Sequence, residues 1–235
     1  MQRKTIALVL ACLMALVLFT GTAQAAGKAT VTQEAFYVRP YSDYHAGEIY
    51  AEITNTGDRP VIFNNGLIEL FNADGDAIES ANLYSAYPDV LAPGEIGYLY
   101  RTISVKEAVE VDYIDDYALT VSGKNETSKE TIRLASEGTF GEYQRSKYST
   151  EYAMFANVTN NTEDIMRNVT VVFALYDGND KLLYADSTTL YNLGIPPEQT
   201  VEIRVSVDKR LLEAWTAEDT MPARIVTIGY IEVDL

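Results

Sequence analysis

The second half of the chain repeats the first, and this repeat constrains the fold more than any other feature. Ala51-Glu52-Ile53-Thr54-Asn55 returns as Ala156-Asn157-Val158-Thr159-Asn160, and Leu70-Phe71-Asn72 returns as Leu175-Tyr176-Asp177, both at an offset of 105. Ala92-Pro93-Gly94-Glu95 lines up with Ile195-Pro196-Pro197-Glu198, and Arg101 with Arg204, both at an offset of 103. Short matches in one order at nearly constant spacing mark a duplicated module, and the period is that of a domain rather than of a solenoid turn. Lys28-Ala29-Thr30-Val31-Thr32 and Lys129-Glu130-Thr131-Ile132-Arg133, at an offset of 101, read as the first strand of each copy. The polar run from Ser122 to Ser128 reads as the linker. The expected division is residues 1–26 as an export signal, 27–124 as module one and 129–235 as module two.

The export signal rests on Arg3 and Lys4 ahead of an almost wholly apolar run from Thr5 to Phe19. Ala23-Gln24-Ala25 follows as a small-x-small cleavage site. The apolar run is short for a membrane span, and the alanine-rich exit favours cleavage over retention as an anchor. Cys12, the single cysteine, lies inside the signal, so the exported chain has no disulfide framework and no thiolate metal site. Such a chain suits a bacterial, secreted or surface-associated protein. With Arg3 and Lys4 removed, 16 basic residues stand against 34 acidic ones, a net charge of −18. That excess opposes nucleic acid and anionic lipid as partners.

Within the copies the dominant period is two. Ile49, Ala51 and Ile53 alternate with Tyr50, Glu52 and Thr54. Val171, Phe173 and Leu175 form one face of the matching run in the second copy, where Gly66, Ile68 and Leu70 stand in the first. One apolar face alternating with a more polar one is the pattern of half-buried antiparallel strands. Turn dipeptides punctuate it at Asp74-Gly75, Pro93-Gly94 and Asp177-Gly178, the glycines being expected at positive φ. Short strands at this spacing predict an all-β chain of two tandem immunoglobulin-like β-sandwich domains. Tyr117 and Tyr230 line up at an offset of 113, so module two carries an insertion of about ten residues after Arg204. There Asp208 is a suitable N-cap, and Leu211, Leu212 and Trp215 share one face of a short helix.

Phe173-Ala174-Leu175-Tyr176-Asp177 spells F-x-L-Y-D. With Asn157-Val158-Thr159-Asn160-Asn161-Thr162 upstream and Pro196-Pro197-Glu198 downstream, the second copy resembles the FxLYD domain of exported bacterial proteins over roughly residues 140 to 208. The resemblance implies a small β-sandwich module with no assigned activity and no catalytic residues. Module one keeps the shape in Ile68-Glu69-Leu70-Phe71-Asn72 but replaces Phe, Tyr and Asp, as a diverged copy.

Chemistry is sparse in the sequence. His45 is the single histidine, expected in a solvated loop, so a histidine-based triad or metal cluster has no second member. G-x-S-x-G, P-loop and Rossmann glycine patterns are absent. Asp74-Gly75-Asp76 and Asp177-Gly178-Asn179-Asp180 put oxygens in tight turns but lack the EF-hand spacing, and read as hairpin turns without metal. The expectation is a non-enzymatic binding or structural protein with no catalytic, cofactor or metal residues. Its partner is expected to be a protein or a cell-envelope component. Module one holds ten of the 17 tyrosines. Of these, Tyr37, Tyr41, Tyr44, Tyr84 and Tyr87 are the candidate ligand-binding residues, and the alternative function is carbohydrate binding through them. Against that stands packing of the same rings along sheet edges.

Overall fold

The computed structural model describes residues 26–41, 44–105, 113–126, 128–147 and 149–235; the expected export signal, apart from Ala26, lies outside them. Module one contains β1 (Ala29–Pro40), β2 (His45–Asn55), β3 (Val61–Phe71), β4 (Ala77–Leu83), β5 (Val90–Leu91), β6 (Ile96–Val105) and β7 (Asp116–Asn125). Module two contains β8 (Lys129–Ser146), β9 (Ser149–Thr159), β10 (Met166–Arg167), β11 (Thr170–Tyr176), β12 (Leu182–Thr189), β13 (Gly194–Ile195), β14 (Thr200–Ser206), α1 (Lys209–Ala217) and β15 (Arg224–Asp234). The fold is all-β, of sandwich type, with antiparallel pairing and one short helix.

Both copies pair their strands on one scheme. β2 lies between β1 and β6, as β9 lies between β8 and β14; β3 lies between β4 and β7, as β11 lies between β12 and β15. A buried asparagine anchors each copy. Asn55 Nδ2 donates to the carbonyls of Arg59 (2.8 Å) and Leu91 (2.9 Å), while its Oδ1 accepts from the Gly57 amide (3.0 Å). Asn160 Nδ2 donates to the carbonyls of Asp164 and Ile195, both at 2.7 Å, and its Oδ1 accepts from the Thr162 amide at 3.0 Å. A wholly buried amide with every polar atom engaged fixes the chain entering and leaving it.

These anchors and ladders correct several alignments drawn from sequence. Leu91 corresponds to Ile195 at 104, and Gly94 (φ 78°) to Glu198 (φ 60°) at 104, rather than at 103. Arg204 faces Phe155 as Tyr100 faces Tyr50, so Tyr100 rather than Arg101 is its counterpart. Tyr117 pairs with Leu70 as Ile225 pairs with Leu175, an offset of 108. Tyr230 is therefore not its counterpart, and module two gains four residues, from 104 to 108, instead of about ten. Thr30 pairs with Thr54 as Ala135 pairs with Thr159, which aligns the first strands at 105 rather than 101. Lys129–Leu134 extend the second one to pair with β15. Ser122–Asn125 belong to β7, so the expected linker is mostly strand.

Each half has its own core. Ile49, Ala51, Ile53, Ile68, Leu70 and Leu99 are wholly buried in module one; Met154, Val158, Val171, Phe173 and Leu175 are wholly buried in module two. A third core joins them. It contains Ala35, Tyr50 and Tyr98 from the outer face of the β1-β2-β6 sheet, and Val172, Ala174, Tyr176, Ile228 and Tyr230 from the outer face of the β12-β11-β15 sheet. β2 is consequently buried on both faces along almost its whole length, and β11 from Val171 to Tyr176. The face that alternation assigned to solvent, Tyr50 with Glu52, is an interface. His45 opens β2 and is buried, not a solvated loop residue. β12 runs across the other sheet: the Leu182 amide donates to Gln33 on β1, Tyr184 packs on Tyr50 of β2, and Ser187 bonds Tyr100 of β6. The faces that meet are not the same face of the two copies.

Candidate functional site

Three buried charged groups, Arg39, Glu48 and Glu52, gather where the modules meet. β2 brings Glu48 and Glu52 to the outer face of its sheet, where module two excludes water from both. Tyr176, from the F-x-L-Y-D strand, donates its hydroxyl to Glu52 Oε2 at 2.5 Å and shares a 2.7 Å hydrogen bond with the Tyr98 hydroxyl. Thr32 donates to the other oxygen of Glu52 at 2.7 Å. Burial pushes the Tyr98 hydroxyl up to about 12, and that of Tyr176 well above its usual range. Both stay protonated as donors at physiological pH. The carboxylate therefore sits in a low-dielectric interface with its acceptors met, which is the condition for tolerating it there.

A second cluster lies at the α1 end of the interface. Arg39 forms a buried ion pair with Glu48 at 2.5 Å, and Asp208 stands 3.7 Å from the same guanidinium. Tyr50 donates to Glu48 at 2.9 Å and Tyr41 at 3.2 Å. Tyr184 donates to Asp186 at 3.1 Å, and burial raises the pKa of that carboxyl. A cavity of about 230 Å³ separates the Arg39–Glu48 pair from Tyr100, Arg101 and Asp186. Its carboxylates already accept from tyrosines and arginine, an arrangement that fixes two modules in register. Breaking such a buried pair on one side costs about 3–5 kcal/mol, because the partner charge is left uncompensated.

The five tyrosines singled out from sequence do not form one surface. Tyr37 is half-buried between the modules and accepts the indole N–H of Trp215 at 3.0 Å. Tyr41 and Tyr44 stack on each other at 4.6 Å between ring centroids, and the Arg210 guanidinium covers Tyr41 at 4.6 Å. Tyr87 stacks on Tyr100 at 5.7 Å. Tyr84 alone of the five is open, at 75% exposure. Glu48, Glu52 and Arg39 went unnoticed in the sequence. The available signal was two glutamates four residues apart on one face of β2, with Tyr50 between them, together with a strand, β11, that is apolar on both faces.

Open concavity lies elsewhere, in module two. α1 has its N-cap at Asp208, whose carboxylate accepts from the Arg210 amide at 2.8 Å. Leu211 and Trp215 are buried, and Leu212 only partly so, because it faces a groove. The groove, of about 770 Å³, runs between α1 and the first residues of β9. Tyr152, Val207, Leu212 and Ala217 provide its apolar lining, with Thr150 and Thr216 beside them and Glu151, Lys209 and Glu213 at the rim. Among the described residues, the matching position of module one is filled by packed side chains. Gly47, the counterpart of Tyr152, is packed so closely that a Cβ there would lie 3.0 Å from Leu70 and 3.1 Å from Phe36. Val38, Ile103, Val105 and Ile114 complete that packing. Val38, paired with Gly47, corresponds to Glu142, paired with Tyr152, so an apolar position of one copy is an exposed carboxylate in the other.

The hairpin turns are built by side-chain capping. Asn72 Oδ1 accepts from the amides of Asp74 and Asp76; Asp177 Oδ1, 105 residues on, accepts from those of Asn179 and Lys181. Among the described residues no group of three or more His, Cys, Asp or Glu side chains is arranged to hold a metal ion. No helix of the described residues is long and apolar enough to cross a membrane.

No protein-family model matches the chain, and no curated protein matches it by sequence. Among solved structures it is similar to red sea bream transglutaminase, with a TM-score of 0.22 and 9% identity, over 88% of this chain and 31% of that one. It is also similar to the coconut allergen cocosin, with a TM-score of 0.12 and 7% identity, over 89% and 86% of the two chains. Likenesses at that level carry no argument about what the chain does.

Proposed function

We propose that the chain is an exported, non-enzymatic binding protein whose two β-sandwich modules are locked into one body that presents the groove beside α1 to a protein or cell-envelope partner. The observation that carries this reading is the contrast between copies: the end of the sandwich that Val38, Val105 and Ile114 help fill in module one is open, apolar-lined and polar-rimmed in module two. A groove of this volume and lining is of the kind that takes ligands. The buried carboxylates and arginine are engaged with one another at the interface, which supports a structural role for them rather than a catalytic one. Module two is proposed as an FxLYD domain. Supporting this, Phe173 and Leu175 are wholly buried, Tyr176 joins the modules and Asp177 caps the hairpin.

The test is retention of envelope components on immobilised chain 26–235, compared with Ala217→Trp, which fills the groove from an exposed helix position. A component retained by the parent and lost with the variant supports the reading. An identical set retained by both overturns the groove as the ligand site.

A further inference from the structure

We propose that the groove beside α1 binds an extended peptide segment, which adds to the free edge of β9 as a strand and lays apolar side chains on Leu212 and Ala217. This rests on the reading of the groove as the ligand site and names the class of ligand.

The internal repeat shows what belongs there. In module one β6 stays paired with β2 as far as Val105, opposite His45, and its alternate residues Ile103 and Val105 are buried in the core. In module two the ladder between β14 and β9 ends at Ser206 opposite Ala153. One more bond follows, from the Val207 amide to the Tyr152 carbonyl at 3.0 Å, and the chain then leaves the sheet through Asp208 into α1. Lys209, the counterpart of Val105, is thus on the helix and takes no place in the sheet. Backbone groups alternate sides along a strand, so Thr150, two residues before Tyr152, turns its amide and carbonyl to the same edge. Thr150 also lines the groove. An unpaired strand edge beside an apolar trough is the geometry of β-augmentation: main-chain bonds supply affinity, and pockets under alternate side chains supply selection.

The occupant follows from the same template. Ser206 and Val207 stand where module one has Thr102 and Ile103, so what module two lacks is the continuation Ser104-Val105, antiparallel to β2 and ending on a buried β-branched apolar residue. A partner segment of that chemistry restores in module two what the turn into α1 removed. The rim does not select by charge, since Glu213 pairs with Lys209 at 3.0 Å and Glu151 with Arg145 at 2.9 Å.

The probe is an end-blocked peptide of residues 98–105, Tyr-Leu-Tyr-Arg-Thr-Ile-Ser-Val, titrated into chain 26–235 by NMR. The dye 8-anilinonaphthalene-1-sulfonate serves as a second, sequence-blind probe of the groove. The expected result is saturable binding that shifts the Thr150 and Glu151 amides and displaces the dye. Ala217→Trp should weaken the peptide at least tenfold. N-methylation of one alternate set of peptide amides should abolish binding, while methylation of the other set should leave it within about threefold. Peptide binding indifferent to both methylation sets overturns strand addition. Dye binding that Ala217→Trp removes, with no peptide binding, leaves the groove as a ligand site and overturns the peptide. Self-association of the chain that Ala217→Trp abolishes would make a second copy the occupant and overturn an external peptide. Binding of neither probe sinks both this inference and the reading on which it rests.

Discussion

The Tyr176 hydroxyl serves two partners, donating to Glu52 and bonding Tyr98, and the two tyrosines are not equivalent in what their loss exposes. Tyr176→Phe strips a buried carboxylate of a donor and leaves Tyr98 facing it unpaired. It should cost about 2–3 kcal/mol, the penalty for orphaning a buried polar group near a charge. Tyr98→Phe leaves the Tyr176–Glu52 bond in place and should cost about 1 kcal/mol. Denaturant melts of the two variants check the order; equal losses would mean that Glu52 is satisfied by Thr32 alone. Asp89 supplies a pH dependence. Burial raises its pKa from the ordinary 3.8 to about 6, Glu232 of module two adding to the rise while the Ala86 amide and Lys129 oppose it. The folded state therefore holds this proton longer than the unfolded chain does. The stability it contributes is present below about pH 4 and is lost as pH rises through 6. Asp89→Asn, which can still accept from the Ala86 amide, should shrink the fall in melting temperature between those two pH values. An unchanged profile would assign the fall to other groups.

At the scale of elements, the two hairpin turns separate backbone strain from mere sequence likeness. Gly75 has φ of 81°, whereas Gly178 of the matching Asp-Gly is not in the left-handed region, and Asp180, the counterpart of Gly75, takes that conformation at φ 61°. Gly75→Val should thus destabilise by about 1–3 kcal/mol, while Gly178→Val, with no heavy atom within 4 Å of its Cβ, should change stability by less than about 0.5 kcal/mol. Thermal melts of the two variants read the difference directly. The strands themselves, the inward set of Val171, Phe173 and Leu175, the capping Asp208 and the buried Trp215 were all legible, because period and capping are local rules. The interface was not. Val172, Ala174 and Tyr176 form a second apolar set on β11, yet alternation alone gives no reason to bury Tyr50, Glu52 and Tyr98 against it. A charge such as Glu52 reads as solvent-facing until its tyrosine donor, 124 residues further along the chain, is brought beside it. The groove was hidden for a related reason: the sequence marked a helix after Asp208, but only the ladder shows that Lys209, the register counterpart of Val105, has left the sheet.

For the whole molecule, a shared third core means that the halves stand or fall together. Lys124 lies in β7 and Lys129 in β8, and the residues between them, 125–128, include neither lysine nor arginine. Trypsin acting on native chain 26–235 should therefore leave one undivided core. Trp215, wholly buried and bonded to Tyr37 of the other module, should red-shift in the same transition that removes the circular-dichroism signal of the sheets. Release of two stable halves would show that the tyrosine interface opens before the cores do. The meeting of unlike faces has a consequence for assembly. A contact between non-equivalent surfaces does not close on itself; a third copy has, in principle, a place to dock at either end, and so without limit. Chemistry at the matched positions opposes this. Where the joined face has Val172, Ala174, Ile228 and Tyr230, the free face of module one has Leu67, Glu69, Thr120 and Ser122. Where the joined face has Tyr50, Glu52, Tyr98 and Tyr100, the free face of module two has Phe155, Asn157, Glu202 and Arg204. Glu69, Glu202 and Arg204 are end-caps on a filament that stops at its second unit, and replacing them with the apolar and aromatic residues of their counterparts is the route by which this molecule would become a fibre.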